Sequence, residues 1–256
     1  MIALLIIVLF GLIWGSFLNV VIYRLPRKLS LIKPGSFCPS CHHKIPFYYN
    51  IPLVSYIILK GKCKFCGEKI SLVYPIVELL TPLSLIILYL KFSFSLFFFL
   101  SMLFTSALIV LAFIDYYHQI LPNEITIFGS LLFLVYSFFN PYLNFGKSLL
   151  GMVIGGGVLL LIYGIYFYIK KIEGLGLGDI KMMIMVGAFL GWLKTLFTLL
   201  LGSFIAALVG IFLITFKKKD LKYSIPFGTF LSPSAFIALV WGNKIISAYL
   251  NLFRKP

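Results

Sequence analysis

Seven carboxylates are all the acid-base chemistry this 256-residue chain can draw on: Glu68, Glu78, Asp115, Glu124, Glu173, Asp179 and Asp220. Two of them stand where a charge is costly. Asp115 ends the apolar run Leu111-Ala112-Phe113-Ile114, and Asp179 opens another run after Gly174-Leu175-Gly176-Leu177-Gly178. An ionisable group at membrane depth is a functional hypothesis by default. Two carboxylates that meet there cannot both ionise easily, so one keeps its proton. Such a pair can activate water and protonate a leaving amine, which is aspartic-protease chemistry. Gly176 and Gly178 allow an open backbone close to a substrate strand. The same glycine string does not follow a strand, so a dinucleotide loop is rejected. The structural alternative is that Asp179 caps a helix and Asp115 reaches the interface. By helix dipoles alone, Asp179 at a helix start is expected to be the ionised member and Asp115 at a helix end the protonated one.

The other carboxylates carry less. Glu124 follows Pro122 and Asn123 in a first helical turn, where a negative charge is favoured. Asp220 sits in a lysine run, Glu68 in a cysteine-rich loop, and Glu173 is a loop charge or a neighbour of the site. Glu78, just inside an apolar run after Pro75, faces a polar cavity or reaches the interface. Lys181 is either close enough to tune the aspartates or an interface anchor. His118, three residues past Asp115, is a neighbour of the site or a loop residue.

All four cysteines share one loop, as Cys38-Pro-Ser-Cys41 and Cys63-Lys-Phe-Cys66 with 21 residues between the pairs. Two C-x2-C knuckles at this spacing fit a tetrahedral zinc site with Cys38, Cys41, Cys63 and Cys66 as ligands. A loop of about 49 residues has little core of its own, so a metal would supply folding energy. Four thiolates argue for a structural rather than a catalytic ion. Disulfides and a redox pair are the competing readings; a reducing location disfavours the first and the lack of a βαβ context the second. His42 and His43 read as exposed loop residues beside Cys41.

The elements that must position these groups are set by composition. Hydrophobic residues make up 61% of the chain and charged residues 11%, against roughly 45–50% and about 25% in a soluble domain. A net charge of +15 on such a chain points to basic membrane loops rather than nucleic acid. Apolar runs cover Met1–Tyr23 and about 73–90, 95–114, 123–139, 148–169, 180–193, 195–216 and 226–250, so the fold class is an all-α polytopic membrane protein of about eight spans. The sixth run is short and is expected to be tilted or partly buried among other helices. Basic Arg24, Arg27 and Lys28 follow the first run rather than precede it, so it reads as an uncleaved anchor with its N-terminus outside. That orientation puts sixteen basic residues inside and six outside. Both aspartates then lie at the cytoplasmic edge. The expected organisation is a first transmembrane helix at 1–23, a cytoplasmic four-cysteine zinc-binding domain at 24–72, and a transmembrane domain of about seven helices at 73–256. Gly151 with Gly155, and Gly187 with Gly191, stand four apart as helix-packing pairs.

Taken together, these residues resemble the type IV prepilin peptidases, a family of leader peptidases and N-methyltransferases. Gly15-Ser-Phe-Leu-Asn-Val-Val-Ile-Tyr-Arg-Leu-Pro26 resembles the family's opening signature, and the knuckles its cytoplasmic zinc loop, closed by Tyr74-Pro75-Ile76-Val77-Glu78. Asp115 followed by Leu121-Pro122 resembles the first catalytic aspartate motif. Gly176-Leu177-Gly178-Asp179-Ile180-Lys181 resembles the GxGD motif carrying the second, and Ile225-Pro226-Phe227-Gly228 a late motif. Val73 departs from the arginine expected before Tyr-Pro.

The resemblance implies an aspartic endopeptidase embedded in the prokaryotic inner membrane. Its substrates would be prepilins or pseudopilins, with a short basic leader, a glycine and an apolar helix. Cleavage would follow the glycine at the cytoplasmic face. N-methylation of the new N-terminus from S-adenosylmethionine would come next; that cofactor is implied by the resemblance alone. A small ion-coupled transporter with a zinc-binding docking loop, and a non-catalytic assembly factor, are the other classes the residues allow.

Overall fold

The computed structural model describes residues 2–140, 143–171, 176–217 and 225–253. Glu173, Gly174, Leu175 and Asp220 lie outside them. The described residues form nine α-helices and one 3-10 turn: α1 Ile2–Arg24, the turn Phe47–Tyr49, α2 Val54–Ile58, α3 Val73–Phe92, α4 Leu96–His118, α5 Asn123–Tyr136, α6 Phe145–Lys170, α7 Leu177–Leu190, α8 Trp192–Lys217 and α9 Gly228–Phe253.

Among the described residues, six helices are long and apolar enough to cross a membrane: α1, α3, α4, α6, and within α8 and α9 the segments Trp192–Phe216 and Gly228–Leu252. The expected eight apolar runs all become helices, but α5 and α7 have only 14 residues each. At ~1.5 Å per residue they reach about 21 Å, short of a ~30 Å hydrocarbon core. Local signals explain the difference. The run expected to continue to residue 139 breaks at Ser137 into a turn. The run expected to reach 193 stops at Gly191, whose φ of 74° a side chain would resist, and Trp192 begins α8 at once.

The chain divides into two compact units, Met1–Val110 and Leu111–Pro256, with the boundary inside α4. In the first, α1 packs along α3. A Cβ on Gly11 would stand 2.7 Å from Pro82 Cα, and one on Gly15 3.0 Å from Glu78 Cα. Asn19 Nδ2 donates to Tyr74 O at 3.1 Å, and Trp14 Nε1 to Ser106 Oγ at 2.9 Å. The loop between α1 and α3 is anchored by buried Arg24, whose guanidinium donates to the carbonyls of Ser30, Pro34 and Gly35. Each cysteine knuckle is framed by one antiparallel bridge, Phe37 with Lys44 and Lys62 with Lys69.

In the second unit α7 is the central element, packed by α5, α6, α8 and α9. Met182, Met183, Met185 and Val186 are fully buried, as expected for a short helix sheltered by others. Its closest neighbour is α6, and the approach runs through the paired glycines. A Cβ on Gly187 would fall onto Gly151 O, and one on Gly151 onto Gly187 O. Ser148 Oγ adds a 2.6 Å hydrogen bond to Ala188 O. Backbones that touch cannot admit even a methyl without separating the helices. Gly187→Ala is therefore expected to destabilise the protein by about 1–3 kcal/mol, the range for overpacking. Gly157→Ala, on the same helix α6 but facing open space, should cost nothing. Thermal unfolding in detergent compares the two directly.

Candidate active site and metal centre

Asp115 sits in the last turn of α4, 5% exposed, after fully buried Leu111 and Ile114. Its carboxylate meets the first turn of α9. Oδ2 accepts the Thr229 backbone N–H at 2.8 Å and lies 3.3 Å from the Thr229 hydroxyl. The first N–H groups of a helix have no intrahelical acceptor, and here a carboxylate from another helix takes that of Thr229. A Cβ on Gly228 would stand 3.1 Å from Oδ2, so the missing side chain is what permits the approach. The motif Ile225-Pro226-Phe227-Gly228 thereby gains a physical role. The role of Thr229 was not read from the sequence, although a Gly-Thr pair after proline at the head of an apolar run is a helix-start signal.

Asp179 is the third residue of α7 and 8% exposed. Its N–H donates to Gly176 O at 3.1 Å, and a Cβ on Gly176 would stand 3.2 Å from its Oδ2. Oδ1 is buried without a hydrogen-bond partner among the described residues. The Asp115 and Asp179 carboxylates interact electrostatically. Leu121 joins the two sides: a Cβ on Gly178 would lie 3.0 Å from Leu121 Cβ, and one on Gly228 3.2 Å from its methyls. Pro122 follows, starts α5, and accepts the Thr126 N–H and hydroxyl, both at 3.1 Å. Lys181 Nζ donates to Asn123 Oδ1 at 2.9 Å, which ties the starts of α7 and α5. His118 is exposed at the end of α4. The structure thus gathers Asp115, Asp179, Gly176, Gly178, Leu121 and Gly228 with the unforeseen Thr229. Two coupled carboxylates, one well supplied with donors and one with a free oxygen, can share a proton and act on water.

Glu78 belongs to the first unit. Its Oε2 accepts the Leu53 N–H at 2.8 Å. Leu53 has φ 60°, ψ −47°, a conformation strained for a branched side chain. Glu78 therefore clamps the start of α2 to α3. It also lines a cavity of about 420 Å³ whose walls include Asn19, Phe37, Tyr49, Tyr56 and Tyr74.

The four cysteines are free thiols whose sulfurs all lie within 4.8 Å of one another, with Cys38 and Cys66 at 3.9 Å. A tetrahedral ion with metal–sulfur bonds of ~2.3 Å needs sulfurs about 3.8 Å apart, so the donor set fits a metal such as zinc. Backbone N–H groups of Cys66 and Phe65 lower the Cys63 thiol to about 7. The Glu68 backbone N–H lowers Cys66, but desolvation and the neighbouring sulfurs outweigh it and push that thiol up to about 12. One thiolate forms readily and opposes the next, so a cation is needed to carry all four. The His43 ring lies 3.7 Å from the Phe65 ring and His42 stacks on Phe37, consistent with loop roles.

Comparison with known proteins follows this division. Residues 9–92 match the bacterial peptidase A24 N-terminal domain, and residues 102–211 the type IV leader peptidase family. The chain is 35% identical to the prepilin leader peptidase/N-methyltransferase of Aeromonas salmonicida, over 95% of this chain and 92% of that one. It is 34% identical to the protein of the same name in Pseudomonas aeruginosa, covering 95% and 92%, and 32% identical to that of Pseudomonas putida, covering 94% and 92%. No solved structure matches. With its coupled aspartates, its cysteine cluster and relatives matched over nearly their whole length, the chain belongs to the type IV leader peptidase family.

Proposed function

We propose that the protein is a multi-pass inner-membrane aspartic endopeptidase. It removes the basic leader of prepilins or pseudopilins after glycine at the cytoplasmic face, then N-methylates the new N-terminus. The observation that carries the peptidase reading is the meeting of two buried carboxylates, Asp115 and Asp179, at the ends of α4 and α7. The names of the relatives, prepilin leader peptidase/N-methyltransferase, support the substrate and the second reaction. Short helices α5 and α7 complete an eight-helix arrangement with the N-terminus outside. The division into a first span, a four-cysteine domain at 24–72 and a peptidase domain beyond it is retained.

Hydrogen bonding reverses the charge assignment expected from helix dipoles. A dipole contributes ~0.3–1 kcal/mol, whereas each hydrogen bond to a charged group contributes ~1.5–3 kcal/mol. Asp115 accepts the Thr229 backbone N–H and has the Thr229 hydroxyl beside it, and it meets the positive end of α9. Asp115 is therefore the ionised base and Asp179 the protonated partner. Asp115 takes a proton from water as the water oxygen bonds to the scissile carbonyl carbon. Asp179 donates to the carbonyl oxygen. The tetrahedral intermediate then collapses, the C–N bond breaks, the proton held by Asp115 passes to the leaving amine, and a hydroxyl proton of the intermediate returns to Asp179. Gly176 and Gly178 leave room for an extended glycine-containing strand, and Lys181, Leu121 and Pro122 shape the approach.

Cys38, Cys41, Cys63 and Cys66 hold a structural zinc. The cavity beside them suits S-adenosylmethionine: it has the volume of a small-molecule site, aromatic rings for the adenine and for the sulfonium, and the Glu78 carboxylate. S-adenosylmethionine would supply an electrophilic methyl to the amine, and Asn19, Tyr56, Tyr74 and Glu78 would bind and orient it.

Three outcomes test this reading. Purified protein in detergent cleaves a prepilin peptide after glycine, and Asp115→Asn and Asp179→Asn each lower kcat by at least ~100-fold, the low end for a general acid or base. Both still methylate a peptide that already begins at the mature N-terminus. Folded wild-type protein that leaves the prepilin intact would overturn the function. Metal analysis should find one zinc per chain; Cys63→Ser should lose it and make residues 36–70 protease-sensitive, and full retention of metal would rule the site out. Glu78→Gln should weaken S-adenosylmethionine binding in calorimetry, and unchanged affinity would place the methyl donor elsewhere.

A further inference from the structure

Thr229 has two functional contacts with α4 beyond its place in the first turn of α9. Its backbone N–H is committed to Asp115 Oδ2 at 2.8 Å. Its hydroxyl lies between two acceptors, Ala112 O at 3.1 Å and Asp115 Oδ2 at 3.3 Å. A hydroxyl has one proton and can donate to only one of them at a time, but it rotates and can also accept. Backbone N–H groups cannot do this, because they donate in one fixed direction whatever the state of their partner.

We propose that Thr229 is a positioning residue for peptide hydrolysis, its hydroxyl turning between the Ala112 carbonyl and the Asp115 carboxylate as Asp115 gives and takes a proton. This rests on the reading of Asp115 as the water-activating group. With Asp115 ionised, the hydroxyl donates to Oδ2 and adds a second hydrogen bond to the anion beside that of the Thr229 N–H. When Asp115 has taken the proton from water, Oδ2 is a weaker acceptor and the hydroxyl proton returns to Ala112 O, an acceptor on the same turn of α4. The carboxyl group is held at the α9 start in both states, so it need not find its place again before the proton passes to the leaving amine. No bond other than hydrogen bonds is made or broken at Thr229.

Thr229→Val keeps the volume and the backbone N–H and removes only the hydroxyl; Thr229→Ser keeps the hydroxyl. Steady-state cleavage of a prepilin peptide is measured for wild type and both variants, with thermal unfolding alongside. Loss of one hydrogen bond to a charged group corresponds to a fall in kcat of about 10- to 150-fold. That fall is expected for Thr229→Val with KM and melting temperature unchanged, and Thr229→Ser is expected to recover most of the rate. Thr229→Ala, which cannot overfill the site, should match Thr229→Val and separates hydroxyl loss from crowding. Wild-type kcat in Thr229→Val, or equal losses in the valine and serine variants, overturns the proposal and leaves the peptidase reading intact. Absence of cleavage by wild type itself overturns that reading, and this proposal with it.

Discussion

A carboxylate buried in an apolar helical bundle has to be given hydrogen bonds or be given a proton, and Asp115 is given hydrogen bonds. Its Oδ2 accepts from the start of α9, and much of the second unit follows from that contact. Gly228 carries no side chain because a Cβ would crowd the carboxylate. Leu121 fills the space beside it and touches Gly178 on the other side, which fixes the start of α7 and hence Asp179. The two carboxylates differ because their surroundings differ. One closes a foreign helix start, whereas the other stands in the first turn of its own helix, with Oδ1 unpartnered among the described residues.

Placing Asp179 needs a second constraint. α7 is too short to span a bilayer unaided, so its position comes from packing. Gly151 and Gly187 let α6 and α7 touch backbone to backbone, and four helices enclose α7. Its end at Gly191 frees α8 to begin at once. The first unit solves a different problem by different means. A loop that buries few of its apolar side chains is organised by Arg24 on three carbonyls, by Glu78 on the Leu53 N–H, and by four sulfurs gathered around one point.

Much of this was legible in the sequence, for physical reasons that can be named. Asp115 and Asp179 stood out because charge is rare in apolar runs. The knuckles stood out because a metal fixes the spacing of its ligands, and the glycine pairs because close helix contact recurs every four residues. What the sequence hid were contacts between distant segments. Nothing local joins Thr229 to Asp115, 114 residues away, so the charge assignment drawn from helix dipoles considered each aspartate only on its own helix and missed the α9 start. Two of the eight expected runs gave shorter helices for a related reason: hydropathy sees the apolar residues beyond Tyr136 and Leu190, but not the turn at Ser137 or the backbone angle at Gly191. Glu78 was read to face a polar cavity or reach the interface, yet its bond to a strained Leu53 depends on a loop fold that no periodicity encodes.

The central claim is that the two aspartates act as one unit, and their energetic coupling in cleavage measures that directly. Single-turnover cleavage is compared for wild type, each Asp→Asn variant and the double variant. A shared site predicts that the double variant is no slower than the slower single, because removing either group already disables the unit. Losses that multiply in the double variant would show two carboxylates working independently and would contradict the account.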